Sequence, residues 1–311
     1  MSVGEAADAA SLAIHTQDLA KRYGRTVALA GLTMSVRRSE VFGFLGPNGA
    51  GKTTAVKLLV GLALPSAGEG WVLGAPIGDL KTRRHLGYLP ELFRYQGWMT
   101  AREVLGLHCK LAELARADWG REIDAALETV GLAERGGDRV EGFSKGMQQR
   151  LGLGVALLGR PQLVLLDEPT SALDPVGRHD VREIIRGLKA RGTAVFLNSH
   201  LLSEVEQVCD RIAVVDHGRV IATGTMAEIL GRDGAVRIRA TGLSVAGKQA
   251  LGRFGRLDDD GVWLTFRGLS EERVPELVGQ IVSDGGRVYA VEPRHETLED
   301  RFLELLREKG E

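Results

Sequence analysis

Gly46-Pro47-Asn48-Gly49-Ala50-Gly51-Lys52-Thr53-Thr54 fills every position of the spacing GxxxxGK(S/T). Glycines so placed let backbone N–H groups turn inward around an anion, and a helix opening on the last residues adds the positive end of its dipole. Lys52 would then put a cation on the β and γ oxygens of a nucleotide, and the Thr53 hydroxyl is a ligand for Mg²⁺. The stretch predicts a phosphate-binding P-loop only if a buried strand precedes it and a helix follows. VFGFLG at 41–46 and TTAVKLLVGL at 53–62 meet both conditions.

A second candidate is Leu163-Val164-Leu165-Leu166-Asp167-Glu168-Pro169-Thr170, an apolar run ending in two adjacent carboxylates. As in P-loop NTPases, Asp167 would hold Mg²⁺, and Glu168 beside it could polarise the water that attacks the γ-phosphate. Taken alone, two acids beyond a strand also suit helix capping.

These residues need a scaffold that brings strand ends together. Short apolar runs recur at 41–46, 163–169, 193–200 and 211–218, the pattern of strands buried on both faces. Helical stretches at 53–62 and 181–192 alternate with them, which predicts an α/β fold with a mainly parallel sheet. Residues from about 90 to 160 carry helical patterns and no strand, so a helical insertion separates the two candidate segments. After about residue 232 the pattern restarts: alternating 235–240, a helix, alternating 262–266, a helix, and a strand in RVYAVEP. This reads as a small βαββαβ-like α+β domain over 232–311, following a nucleotide-binding domain over 13–231 and a flexible tail over 1–12. Its last segment, ETLEDRFLELLREKG, places Leu298, Phe302, Leu305 and Leu306 on one stripe, expected to pack on this domain's core in preference to a partner.

Composition narrows the function. Lys+Arg (40) and Asp+Glu (41) nearly cancel, which argues against a dedicated nucleic-acid binder. The only cysteines, Cys109 and Cys209, lie far apart with no CxxC spacing, so neither a disulfide framework nor a zinc site is expected. The first fifteen residues contain acids and no apolar core, unlike a secretory signal. The longest apolar windows, such as LGLGVALLG at 151–159, are about half the ~20 residues a spanning helix needs. The basic run KTRRH at 81–85 is short and flanked by acids, and reads as a solvated face.

Three further segments make the chain resemble the ABC transporter ATPase family. Phe143-Ser144-Lys145-Gly146-Met147-Gln148-Gln149-Arg150 is similar to the family's signature, Ser171-Ala172-Leu173-Asp174 to its D-loop, and Asn198-Ser199-His200 to its switch histidine. Singly each has an ordinary reading, Ser144 as an N-cap and His200 as a polar strand end; their joint order after the P-loop carries the resemblance. It implies an ABC ATPase core of the P-loop NTPase class, with ATP and Mg²⁺ as cofactors. The whole loop Gly46–Thr54 would bind nucleotide, and Tyr23 in LAKRYG would stack on adenine, although a lone tyrosine also suits a core. Lys52, Glu168 and His200 would be catalytic, Thr53, Asp167 and Glu91 would hold Mg²⁺, Ser144 and Gly146 would reach ATP bound by a second subunit, and Asp174 would belong to the nucleotide-binding set. The family thus implies a head-to-tail dimer, with itself or a homologous ATPase. It also implies separately encoded transmembrane permease subunits and a peripheral location on the cytoplasmic face of the cell membrane.

Two departures stand out. Lys145 and Met147 replace a Gly and a Gln of the usual LSGGQ, and Glu91 stands where the family commonly has a glutamine contacting Mg²⁺ and water. A carboxylate can still ligate Mg²⁺ but adds charge near the phosphates, and a solvent-exposed loop Glu is the alternative. With the C-terminal extension, these departures resemble the ATPase subunits of bacterial multidrug and antibiotic-resistance exporters, and imply export. Soluble ABC ATPases of translation or chromosome type would carry two cassettes or long coiled coils, neither of which occurs here. A P-loop kinase would not explain the signature or Ser171–Asp174.

Overall fold

The computed structural model describes residues 11–230, 235–294 and 297–308, and this part of the chain divides after Met226 into two compact units. The tail expected over 1–12 falls mostly outside the described residues, and Leu12 is already the first residue of a strand.

The first unit opens with the antiparallel pair β1 (Leu12–Tyr23) and β2 (Thr26–Arg37), followed by β3 (Val41–Leu45) and α1 (Lys52–Leu59). β4 (Ala67–Val72) and β5 (Ala75–Pro76) then join the first pair in a four-stranded sheet of order β2-β1-β4-β5. β6 (Leu86–Leu89) leads into the helical segment: α2 (Ala101–Leu111), α3 (Trp119–Thr129) and α4 (Lys145–Ala156). A reciprocal Thr100–Glu103 capping box starts α2, where the sequence turns from loop to 3.6-residue periodicity. The chain returns through β7 (Leu163–Asp167), α5 (Pro175–Ala190), β8 (Ala194–Asn198), α6 (Leu202–Val208), β9 (Arg211–Asp216) and β10 (Arg219–Thr225).

The second sheet has the order β10-β9-β3-β8-β7-β6, parallel throughout except for β10. Every residue of β3, β7 and β8 is buried, which is why these strands read as continuous apolar runs. Phe42, Phe44 and Phe196 stack on the central strands and pack with Leu58, Leu59 and Leu165 into one core. Each such side chain stabilises the unit by roughly 1.5–3 kcal/mol through burial. The consequence for function is geometric: β3, β6, β7 and β8 run the same way, so the residues that follow them emerge at one edge.

The division falls within α7 (Met226–Leu230), and the second unit contains β11 (Ala235–Thr241), α8 (Val245–Ala250), β12 (Arg256–Asp259), β13 (Leu264–Arg267), α9 (Val274–Ser283), β14 (Arg287–Arg294) and α10 (Leu298–Arg307). Its strands pair antiparallel in the order β12-β13-β11-β14. Val236, Ile238, Leu264 and Phe266 meet Leu277 and Ile281 of α9 and Leu251 and Phe254 in a separate core. Of the stripe on α10, only Leu298 is fully buried, while Phe302, Leu305 and Leu306 stay partly exposed.

Candidate functional site

The P-loop joins β3 to α1, and two close approaches explain its glycines. A Cβ on Gly46 would lie 2.3 Å from the Val215 carbonyl oxygen of β9, and one on Gly51 would lie 2.3 Å from that of Ala28. Gly51 also takes φ +97°, left-handed backbone that L side chains rarely adopt, and serves as the N-cap of α1. Lys52 folds back, its Nζ donating to the carbonyls of Gly46 at 2.7 Å and Pro47 at 3.1 Å. Burial lowers its ammonium below the ordinary 10.5, while Glu168, Asp167 and Glu91 pull it back up.

Asp167 ends β7 and is 1% exposed. Asn198, at the end of the neighbouring β8, donates Nδ2 to Asp167 Oδ1, while Oδ2 is buried without a hydrogen-bond partner. Burial raises the Asp167 carboxyl above its usual range, and Lys52 and Asn198 oppose that rise. An orphaned buried carboxylate oxygen is costly unless something completes it, and a hard cation does so. Asp167 meets the cavity through Asn198, and the Thr53 hydroxyl and Glu91 line it, so the donors are all oxygen, as Mg²⁺ prefers. Among the described residues no group of three or more His, Cys, Asp or Glu could hold a metal by itself, which is compatible with Mg²⁺ bound mainly through phosphates and water.

Glu168 takes φ +55°, an unusual conformation for a non-glycine residue. It is held there by its backbone: its N–H donates to Asn198 O at 2.9 Å, and its own carbonyl accepts from Gln149 Nε2 at 3.2 Å and from Ser171 Oγ at 3.2 Å. His200 Nδ1 donates to Glu168 Oε2 at 2.6 Å. Burial pushes the Glu168 carboxyl upward, and the His200 contact works against it.

Gly49, Gly51, Lys52, Thr53, Thr54, Asn48, Glu91, Glu168, Asn198 and His200 line one cavity of about 570 Å³, together with Thr26, Val27, Ala28 and Ser171. Tyr23 does not line it; it sits half-exposed at the end of the β1–β2 hairpin, paired with Thr26, which does, and Lys21 Nζ lies 4.9 Å from its ring centre. Ser144, Gly146 and Asp174 are elsewhere, on a second cavity of about 590 Å³ with Lys145, Met147, Arg135 and Arg150. There Ser144 Oγ caps α4 by accepting from Met147 N, and Asp174 caps α5 by accepting from Gly177 N at 2.8 Å. Sequence reasoning missed Gln149 and Asn198 as positioning residues. Asn198, two residues before the predicted histidine, could have been suspected; nothing local marks Gln149.

With this geometry in place, the comparisons with known proteins are decisive. The family described as ABC transporter matches residues 29–171. The ABC transporter ATP-binding protein sll0415 of Synechocystis sp. is 40% identical over 287 residues, covering 91% of this chain and 79% of that protein. The chain belongs to the ABC transporter ATP-binding family. The linearmycin resistance ATP-binding protein LnrL of Bacillus subtilis is 34% identical, over 79% of this chain and 81% of its own. The bacitracin transport ATP-binding protein BcrA of Bacillus licheniformis is 38% identical over 68% and 69%. A solved structure of an ATP-binding subunit of an ABC transporter aligns with TM-score 0.65 at 32% identity, covering 70% of this chain and 91% of that one. As an ABC ATPase the chain binds and hydrolyses ATP on its P-loop NTPase core, the fold that its first unit displays.

Proposed function

We propose that two copies of this ABC ATPase, or one copy and a homologue, pair head to tail so that the second cavity of each closes over nucleotide in the P-loop cavity of the other. The observation that carries this reading is the separation on one unit of Lys52, Thr53 and Glu168 from Ser144, Gly146 and Asp174. The first set has charges suited to phosphate and Mg²⁺; the second presents the start of α4, whose first N–H groups suit the outer face of an anion.

Within the closed site the loop Gly46–Thr54 holds the phosphates, Lys52 exchanges its carbonyl partners for phosphate oxygens, and Tyr23 meets the base. Thr53 and Asp167 would hold Mg²⁺, which when bound neutralises charge on the phosphates, with Glu91 on the cavity wall. Glu168 accepts a proton from water as the water oxygen bonds to the γ-phosphorus and the bond to the bridging oxygen breaks, leaving ADP. His200 steadies Glu168 through Nδ1 and contacts the γ-phosphate. We assign these roles to residues 13–231 and regard 232–311 as an accessory domain.

Export through separate membrane subunits is supported by the resistance and transport relatives, and among the described residues no helix is long and apolar enough to cross a membrane. The chain would then sit peripherally on the cytoplasmic face of the membrane. Light scattering on a Glu168→Gln variant tests the pairing: Mg²⁺ and ATP should convert monomer to dimer, and a persistent monomer that still binds ATP would refute it. Capture of the tagged chain from gently solubilised native membranes should recover a polytopic permease in near-equal amount; ribosomes or DNA instead would favour a soluble ABC ATPase.

A further inference from the structure

Glu91 makes the P-loop cavity more negative than its ligand would favour. It follows β6, is exposed, and lines the cavity with Lys52, Thr53, Glu168 and His200. Asp167 lies buried behind Asn198, which also lines the cavity. Three carboxylates therefore act around one lining ammonium, with Lys57 of α1 acting on Asp167 from outside the lining. The influence of Glu91 reaches through the site: it is felt at Lys52, at Asp167 and at the Tyr88 phenol, which burial and these acids push up to about 12.

A fully ionised nucleoside triphosphate carries about four negative charges and its Mg²⁺ complex about two, so the same extra carboxylate repels the first more than the second. A glutamine amide here could donate a hydrogen bond to a phosphate oxygen; a carboxylate can only accept. We propose that Glu91 acts as a charge filter, making this ATPase discriminate against metal-free nucleoside triphosphate and admit the Mg²⁺ complex. The inference rests on reading the cavity as the nucleotide site. Because Glu91 is exposed, solvent and salt weaken its field, which sets the expected effect at about tenfold at low ionic strength and less as the Debye length contracts.

Equilibrium binding of a fluorescent ATP analogue to the full-length protein, in excess Mg²⁺ and in EDTA, tests the filter. Glu91→Gln should tighten metal-free binding about tenfold and Mg²⁺-nucleotide binding only about threefold, because half the charge meets the same field, while Glu91→Asp should behave as the parent. The gap between parent and Glu91→Gln should shrink as salt rises. An unchanged ratio of the two affinities would overturn the proposal. A ratio that narrows only because Mg²⁺-nucleotide binding weakens would also overturn it, and would make Glu91 a direct metal ligand. Loss of nucleotide binding by the parent protein in both buffers would instead refute the nucleotide reading of the cavity itself.

Discussion

The two cavities of the first unit are similar in size and opposite in character. Around the second, the Ser144 and Asp174 side chains each cap a helix N-terminus and Arg150 pairs with Asp180, so these three side chains already have partners within the unit. Around the P-loop cavity, Asp167 Oδ2 and Asn198 Oδ1 are buried without partners, Glu168 sits at φ +55°, and Lys52 bonds carbonyls of its own loop. Between these two cavities, the unmet polar atoms and the strained non-glycine residue lie at the P-loop cavity, where a ligand would complete them.

The sharpest way to break this contrast is Gly146→Asp. The position has ordinary backbone and space for a Cβ, the nearest neighbour being Leu173 Cδ2 at 3.4 Å, so the variant should fold. A carboxylate facing a partner's phosphates should abolish ATP-driven pairing and reduce turnover to background while monomeric ATP binding persists; normal turnover would remove the second cavity from the site. Next in size, Glu168→Gln should slow phosphate release by roughly 10²–10⁴ with ATP binding intact, the scale of losing a general base. Retained turnover would separate Glu168 from that role.

Lys52→Ala should weaken ATP binding by roughly 10–100-fold in a titration, because the phosphates lose a charge-assisted donor. Unchanged affinity would count against the P-loop assignment. The smallest expected effect concerns stability. The Asp167 carboxyl is raised in the folded state, so the fold binds its proton more tightly than the unfolded chain does. Its contribution to stability is present below the ordinary value of 3.8 and is lost as pH rises through the elevated one. Asp167→Asn should therefore raise the nucleotide-free melting temperature at neutral pH by about 2–4 °C per kcal/mol recovered, with the gain disappearing in acid. A melting temperature unchanged at every pH would show that Asp167 carries no such penalty.

Most of the P-loop cavity's lining was legible because its elements are contiguous in the chain. The P-loop is one strand, one turn and one helix start, and Asp167-Glu168 is one strand end, so local periodicity and residue type were enough. The antiparallel sheet β2-β1-β4-β5 was not anticipated: its strands alternate weakly, and the β1–β4 pairing that joins its two hairpins spans distant segments. The stripe on α10 was expected in a core, and the structure covers only Leu298 completely.

The order of the motifs and the chemistry each can carry were properties of the chain alone: GxxxxGK(S/T), paired acids, Ser144 and Gly146, Asp174, His200. Tertiary structure decided which of them share a site. Only the parallel pairing of β7 with β8 places Asn198 against Asp167, 31 residues earlier, and only the packing of α4 brings Gln149 to the Glu168 backbone, 19 residues away. The same packing puts Ser144 and Asp174 on a cavity apart from Lys52. Spacing along a chain governs turns and helix faces, whereas partnership between distant residues is set by how buried strands stack, and that is decided by the core as a whole.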